Sequence, residues 1–130
     1  MISPDGVPIV CSEPQGVARG LFLHLPAFGQ KKEDTRPVLD HLAEKGFTAI
    51  GMDAWQQGER GRESRDQLTT RVFGNFRRNM WPILGQTTLD VSRVIDWGLA
   101  EFNLTAPVFV SGLSLGGDIA VAAAGLDSRI

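Results

Sequence analysis

Short continuous runs of apolar residues recur along the chain. Three of them, residues 19–25, 47–52 and 107–111, have the length and composition typical of strands buried on both faces of a sheet. A fourth run, residues 7–11, contains Pro8, and a proline without an N–H group suits a strand at the edge of a sheet. The pattern predicts a sheet of buried strands with one edge strand formed early in the chain.

Helix-forming segments lie between these runs. The first helix should begin with Asp34 or Thr35 as its cap, carry Pro37 in its first turn and stop at Gly46. A glycine at this point suits the left-handed conformation that ends many helices. The buried stripe of this helix is predicted to consist of Val38, Leu39, Leu42 and Ala43.

Two more helices are predicted, over about residues 87–102 and over residues 115–126. Residues 53–80 are polar and rich in glycine and arginine, which predicts a long loop with room for one short helix. The alternation of strands and helices indicates an α/β fold. Its sheet should be mainly parallel, with right-handed crossovers and helices on both faces.

Composition narrows the possible classes of function. With 130 residues, 42% of them apolar, the chain has the size of one domain, residues 1–130, that can bury a core. Its 13 basic and 15 acidic residues give a net charge of −2, which does not favour nucleic acid or an anionic membrane as a partner. Arginines cluster between residues 60 and 78, where interleaved acidic residues favour a solvated face over an anion-binding patch.

The few metal-binding side chains argue against a zinc or thiolate metal site. Cys11 is the only cysteine, so no intrachain disulfide can form, and two histidines are too few for a zinc site. We expect no cofactor. No secretory signal is visible, and no apolar run approaches the ~20 residues of a membrane span. We therefore expect a cytoplasmic protein.

The strongest chemical signal is a Gly-x-Ser-x-Gly motif, Gly112-Leu113-Ser114-Leu115-Gly116. A predicted strand precedes it and a predicted helix follows it, which is the context that forms a nucleophile elbow. Such a turn lifts the serine hydroxyl clear of the sheet, and its crowded backbone requires small residues two positions before and after the serine. The alternative is a glycine-rich turn that only joins a strand to a helix.

Three segments together resemble the α/β-hydrolase superfamily, and within it the dienelactone-hydrolase and prolyl-oligopeptidase-like serine esterases. Residues 22–33, Phe-Leu-His-Leu-Pro-Ala-Phe-Gly-Gln-Lys-Lys-Glu, are similar to the family's strand, His-Gly-Phe oxyanion loop and Lys-Glu helix start. Residues 45–61 are similar to its Gly-Phe…Asp-x-x-x-x-Gly-x-Arg segment, and residues 112–117 to its Gly-x-Ser-x-Gly-Gly. Their order and spacing resemble the N-terminal half of the family's domain over almost the whole chain.

The resemblance implies a carboxylic-ester hydrolase in which Ser114 is the nucleophile and the N–H groups of Leu115 and Phe28 stabilise the oxyanion. Without gaps, the family's His-Gly falls on Pro26-Ala27, so Phe28 supplies the amide. A shift of two residues would assign that role to Pro26, which has no N–H group. The implied substrates are acyl esters, with short peptides as a weaker alternative.

A serine nucleophile needs a base and a carboxylate, and in this superfamily both follow the serine in the chain. Asp118 and Asp127 follow Ser114, but no histidine does. The only histidines are His24, in a predicted strand, and His41, on the first predicted helix. We interpret the first as a core or strand-end residue and the second as a solvated residue.

Three explanations for the missing acid and base stay open: a fragment of a longer chain, a natural truncation without catalysis, or a half that works with another chain. The Asp-x-Arg-Ile at residues 127–130 favours a fragment, since in the family it leads into the next strand. The alternative function is a catalytically inactive interaction or scaffold protein. A nucleotide-binding domain is disfavoured, because the P-loop lysine and the dinucleotide-binding glycine spacing are missing. Strand 107–111 would have an open edge, which we expect a homo-oligomer or a second chain to cover.

Overall fold

A four-stranded sheet forms the centre of the chain in a computed structural model that describes residues 5–105 and 107–130. The rest of the predicted domain, residues 1–4 and Ala106, lies outside the described residues. The strands are β1 (Ile9–Ser12), β2 (Leu21–Leu25), β3 (Thr48–Met52) and β4 (Val108–Gly112). Their order is β1-β3-β2-β4, with β2 parallel to β3 and β4, and β1 antiparallel to β3. The predicted α/β fold is confirmed, and the run that contains Pro8 is an edge strand.

Helices cover both faces of this sheet. They are α1 (Arg36–Glu44), α2 (Arg65–Gly74), α3 (Phe76–Glu101) and α4 (Leu115–Leu126), with short 3₁₀ turns at Lys32–Thr35 and Gly58–Arg60. Gly51 of β3 lies against Leu39 of α1. The preceding strand residue, Ile50, lies against Gly98 of α3. Because successive strand residues point to opposite faces, α1 and α3 lie on opposite sides of the sheet.

The strands differ in how completely they are buried. All five residues of β3 are buried, as predicted. In β2, however, Phe22 and His24 are only half-buried, and in β4 only Val108 is fully buried while Phe109 is 42% exposed. The prediction of strands buried on both faces is wrong for β2 and β4. The physical reason is that α1 packs mainly on β1 and β3 and leaves its side of β2 and β4 open.

The largest departure from the sequence analysis lies within residues 53–80. The predicted long loop contains α2 and the beginning of α3, which starts at Phe76 and not near Thr87. Both segments are polar, and Pro82 lies inside α3, where its missing N–H group normally argues against a helix. The helix α2 fits the one short helix that the prediction allowed, but the prediction is wrong for residues 76–80, which belong to α3. The polar composition of this stretch and the nearby proline obscure the helical pattern there.

Side-chain caps explain why these helices begin where they do. Ser64 Oγ accepts from the Gln67 N–H at 3.2 Å, and Gln67 Oε1 accepts from the Ser64 N–H at 2.9 Å. This reciprocal capping box satisfies two unpaired donors at the start of α2. At the start of α3, Asn75 Oδ1 accepts from the Arg78 N–H at 3.3 Å.

The helix α1 matches the predicted position but not every predicted buried residue. Thr35 precedes it, Pro37 is its second residue, and Gly46 follows it with a φ of 95°. Leu39 is buried, whereas Val38 is 39% exposed, so the prediction that Val38 belongs to the buried stripe is wrong. Successive helix residues are rotated by about 100°, and with Leu39 against the sheet the preceding residue faces away from it.

Candidate functional site

Ser114 lies at the turn between β4 and α4, and its side chain is exposed. Its backbone has a φ of 52° and a ψ of −111°, a region that residues other than glycine rarely occupy. Such a conformation costs on the order of 1–3 kcal/mol and persists only where the surrounding structure enforces it. The structure thus places Ser114 in a sharp strand-to-helix turn, directly before Leu115, the first residue of the helix.

The two glycines of the motif allow this turn by very close backbone packing. A Cβ atom on Gly112 would overlap the backbone of Gly116. A Cβ atom on Gly116 would overlap the carbonyl of Leu25, the last residue of β2. The Leu113 N–H also donates to Leu25 O at 3.2 Å. The start of α4 is therefore packed directly against the point at which the loop of residues 26–30 leaves β2.

The backbone donors of this loop are held by two glutamine side chains. The Ala27 N–H donates to Gln30 Oε1 at 2.9 Å, and the Gly29 N–H donates to Gln57 Oε1 at 2.5 Å. The Gln30 N–H in turn donates to Ala27 O at 3.1 Å. These bonds close the loop into a tight turn and fix the peptide groups on either side of residue 28.

The N–H groups of Phe28 and Leu115 donate no hydrogen bond to any residue that the structure describes. Leu115 begins α4, so its N–H belongs to the helix N-terminus, where the helix dipole favours negative charge. The ring of Phe28 packs edge-to-face on Phe73 of α2, with the ring centres 5.6 Å apart. The two segments that meet beside Ser114 therefore each offer one unpaired backbone donor.

A buried carboxylate, Asp53, holds the segment that follows this loop at the end of β3. Asp53 directly follows β3 and is fully buried, and its two oxygens accept from the Lys32 N–H at 2.8 Å and the Glu59 N–H at 2.9 Å. The buried Lys32 Nζ lies 3.4 Å from Asp53 Oδ2, 2.7 Å from Glu59 Oε2 and 2.8 Å from Glu33 Oε1. Burial alone would lower the pKa of Lys32, but the hydrogen bonds to Glu33 and Glu59 and the charge of Asp53 outweigh it and raise the pKa. Lys32 is therefore a charged partner for the buried carboxylate.

The segment that follows Asp53 is attached to α3. Arg60 Nη1 lies 2.8 Å from Asp90 Oδ2, and the Asp90 side chain is 1% exposed. The Arg60 guanidinium also lies over the ring of Trp55, 4.7 Å from its centre, and the Trp55 N–H donates to Thr87 Oγ1 at 2.9 Å. The interpretation of the arginine cluster as a solvated face is wrong for Arg60, because its side chain is only 11% exposed and pairs with a buried aspartate.

Neither histidine forms a hydrogen bond with Ser114. His24 Nδ1 lies 2.8 Å from Ser111 Oγ, and partial burial lowers the pKa of His24. The side chain of His41 is 64% exposed on α1, with Glu44 3.9 Å away. These positions agree with the interpretation of His24 as a strand-end residue and of His41 as a solvated residue.

The two aspartates that follow Ser114 do not pair with a histidine either. Asp118 is exposed on the first turn of α4. Asp127 accepts from Arg129 Nη2 at 2.6 Å and from Ser92 Oγ at 2.8 Å, and the hydrogen bond from Arg129 holds the pKa of Asp127 well below its usual range. Asp127 therefore joins the end of α4 to α3, and no carboxylate–histidine pair adjoins Ser114 within the described part of the chain.

The described residues offer little for metal, membrane or thiolate chemistry. Within 5–105 and 107–130, no group of three or more His, Cys, Asp and Glu side chains is suited to hold a metal ion. None of the helices described there is both long and apolar enough to cross a membrane. Burial raises the pKa of Cys11 to about 11, so this residue stays a thiol at neutral pH.

Several solved structures resemble this one. The protein TT1662 from Thermus thermophilus is 25% identical, with a TM-score of 0.67 over 85% of this chain and 44% of its own. A cold-adapted esterase from an Arctic intertidal metagenomic library is 23% identical, with a TM-score of 0.75 over 95% of this chain and 52% of its own. An acetyl xylan esterase from Paenibacillus sp. R4 is 21% identical, with a TM-score of 0.61 over 98% of this chain and 44% of its own.

These comparisons confirm the resemblance at the level of the fold, which is α/β-hydrolase-like over most of the chain. The chain spans about half the length of the solved structures that it matches. No protein-family model matches the sequence, and no curated protein matches it.

The roles of Asp53, Lys32 and Gln57 were not predicted from the sequence. The position of Asp53 directly after a buried strand, and the Lys-Glu pair ahead of the first helix, were the available signals for the first two. Nothing in the sequence distinguishes Gln57 from its neighbour Gln56.

Gly116→Ala should destabilise the fold, because its Cβ would overlap the Leu25 carbonyl. We expect the free energy of unfolding, measured by urea denaturation, to fall by about 2 kcal/mol or more. Gly117→Ala is the matched control, since the nearest atom to its Cβ would be Gly112 O at an ordinary 3.4 Å. It should leave stability unchanged or raise it by up to about 1 kcal/mol. Equal stability of the two variants would contradict the close packing at this turn.

Lys32→Met should also destabilise the chain, because it leaves the Asp53 carboxylate buried without its cation. Breaking a buried ion pair typically costs about 3–5 kcal/mol, which a urea titration resolves easily. Lys31→Met, at the adjacent and exposed lysine, should shift the unfolding midpoint very little. If both variants unfold at the same urea concentration, the buried pair of Lys32 and Asp53 does not stabilise this segment.

Proposed function

We propose that this chain, with its α/β-hydrolase-like fold, carries the nucleophile of a serine hydrolase that cleaves carboxylic esters. The observation that carries the proposal is the strained, exposed Ser114, beside two segments whose Leu115 and Phe28 N–H groups have no partner among the described residues. Solved esterases that match 95% and 98% of this chain support the same class of reaction.

In the proposed reaction, Ser114 Oγ attacks the carbonyl carbon of the ester while its proton passes to a base. The carbonyl oxygen becomes an oxyanion, which the Leu115 and Phe28 N–H groups stabilise together with the dipole of α4. Collapse of the intermediate breaks the bond to the alcohol, which leaves with the proton from the base. Water, deprotonated by the same base, then cleaves the acyl group from Ser114 as a carboxylic acid.

The base and the carboxylate that orients it are proposed to lie outside the 130 residues of this chain. Both histidines have other surroundings, His24 at Ser111 and His41 on the exposed side of α1. Asp127 is paired with Arg129. The proposal therefore gives this chain the nucleophile and the oxyanion donors of a Ser-His-Asp enzyme, and gives the acid and base to other residues.

The alternative function is a catalytically inactive interaction or scaffold protein with the same fold. The observation that favours it is that no described histidine adjoins Ser114. The strain at Ser114 favours the hydrolase, since its φ of 52° and ψ of −111° combine in a sparsely populated region of the kind that clusters at active sites.

We further propose that a second polypeptide, most simply a second copy of this chain, covers β4. This strand pairs with β2 on one side, and no described strand pairs with its other side. Phe109 on β4 is 42% exposed, and Val121 and Leu126 on α4 are 76% and 69% exposed. An open edge strand beside exposed apolar side chains favours association with another chain.

The isolated chain should hydrolyse an activated ester such as p-nitrophenyl acetate only weakly. Without a base, the residual acceleration from binding and the oxyanion donors is about 10³- to 10⁴-fold over water. A fluorophosphonate should label the chain slowly at Ser114, as mass spectrometry would show, and Ser114→Ala should abolish the labelling. Ser111→Ala, three residues earlier on β4, is the control that should still be labelled.

Two results would contradict this account of activity. Rapid hydrolysis that depends on Ser114 would show that a base lies within the chain. A complete lack of labelling would contradict the nucleophile assignment and favour the scaffold hypothesis.

Sedimentation velocity should show the chain as a dimer or larger species. Phe109→Lys should shift it towards the monomer, because a lysine on an edge strand opposes pairing. Val17→Lys is the matched control, since Val17 is 95% exposed and lies outside β4 and α4, and it should leave the assembly unchanged. A cooperatively folded monomer with β4 unpaired would contradict the proposed association.

A further inference from the structure

Gln57 is a polar loop residue with only 3% of its surface exposed. Its Oε1 accepts from the Gly29 N–H at 2.5 Å. The bond defines the orientation of the carboxamide, because an N–H donor requires the oxygen and not the NH₂ group opposite it. Gln57 thus connects the loop that follows β3 to the loop that follows β2.

The backbone of Gln57 is itself fixed. Its N–H donates to Ala54 O at 3.0 Å, and its carbonyl accepts from the Arg60 N–H at 3.0 Å. The next residue, Gly58, packs so closely on the Asp53 carboxylate that a Cβ would overlap it. The Gln57 side chain therefore extends from a rigid segment to a loop glycine that has a φ of 78°.

Two glutamines bond the backbone donors on either side of Phe28. Gln30 accepts from the preceding N–H and Gln57 from the Gly29 N–H, while the Phe28 N–H has no partner among the described residues. We propose that Gln57 is a positioning residue, which holds this loop so that the Phe28 N–H faces the reacting oxygen at Ser114. The inference rests on the proposed function, in which Phe28 is an oxyanion donor.

Positioning matters because an oxyanion donor must meet its oxygen within a narrow range of distance and angle. Without the Gln57 acceptor, the peptide that contains the Gly29 N–H can rotate to find another partner. The adjacent Phe28 peptide would move with it, and a displacement of about 1 Å can lower a rate about 100-fold.

Only the oxygen of the Gln57 carboxamide, and not its nitrogen, forms a hydrogen bond with a described residue. Gln57 Nε2 is buried and has no hydrogen-bond partner in the described part of the chain. Gln57 also lines a cavity of about 70 Å³ together with Gly29 and Arg65, which leaves space for a change of head group. A glutamate at this position keeps the acceptor for Gly29, and Arg65, which lines the same cavity, is the cation that can pair with its charge. A methionine of similar length removes the acceptor.

The test measures the rate at which a fluorophosphonate labels Ser114 in Gln57→Met and Gln57→Glu. The methionine variant should be labelled about 10- to 100-fold more slowly than the unsubstituted chain, and the glutamate variant at nearly the unsubstituted rate. Gln56→Met is the matched control, because Gln56 Oε1 accepts from Arg71 Nη2 at 2.7 Å and not from the loop. Circular dichroism checks that all variants are folded.

Hydrogen exchange at the Gly29 amide, followed by NMR, gives a second readout that is independent of chemistry. It should become faster in Gln57→Met and stay unchanged in Gln56→Met. If Gly29 exchanges faster while Ser114 is labelled at the unsubstituted rate, the positioning role is wrong and the proposed function stands. Labelling of Gln57→Glu as slow as that of Gln57→Met would likewise overturn the positioning role. If the unsubstituted chain is not labelled at all, the proposed function fails and this inference fails with it.

Discussion

The candidate site depends on the hydrogen bonds and the ion pair that the buried Asp53 carboxylate forms. This carboxylate is fully buried at the end of β3 and accepts backbone N–H groups from the two 3₁₀ turns, at Lys32 and at Glu59. A buried charge is tolerated only when it is paired and hydrogen-bonded, and the Lys32 ammonium supplies the pairing. Since one carboxylate holds both turns, the segments next to them have a fixed relative position, and the Gln57 side chain can bond to the Gly29 N–H.

On the Ser114 side of the site, the backbone is held by close packing and not by hydrogen bonds to Asp53. Gly112, Gly116 and the end of β2 are packed without space for a Cβ atom, and this packing enforces the strained backbone of Ser114. The Leu115 donor is thus set by backbone contact, whereas the Phe28 donor is set by hydrogen bonds that lead back to Asp53. Both lie beyond the carboxyl ends of parallel strands, where ligand sites of open α/β sheets usually form.

The sequence predicts those parts of the molecule that depend on local requirements. Strand β3 follows from its apolar run, and the turn at Ser114 follows from glycines that no larger residue could replace. The half-buried faces of β2 and β4 could not be predicted, because burial there depends on where the distant helix α1 packs. Only Leu68 and Val72 of α2 are buried, which is too few to produce a clear helical period. The bond of Gln57 to Gly29 joins residues 28 positions apart, and no local sequence pattern predicts it.

In the proposed site, two independently held backbone donors serve one oxygen at Ser114. The most direct measurement is a crystal structure of the chain after a fluorophosphonate has modified Ser114. We expect a phosphonyl oxygen about 2.7–3.1 Å from both the Leu115 and the Phe28 nitrogen, with Gln57 still bonded to Gly29. A phosphonyl oxygen that faces solvent, or a Phe28 N–H that points away from it, would contradict the account.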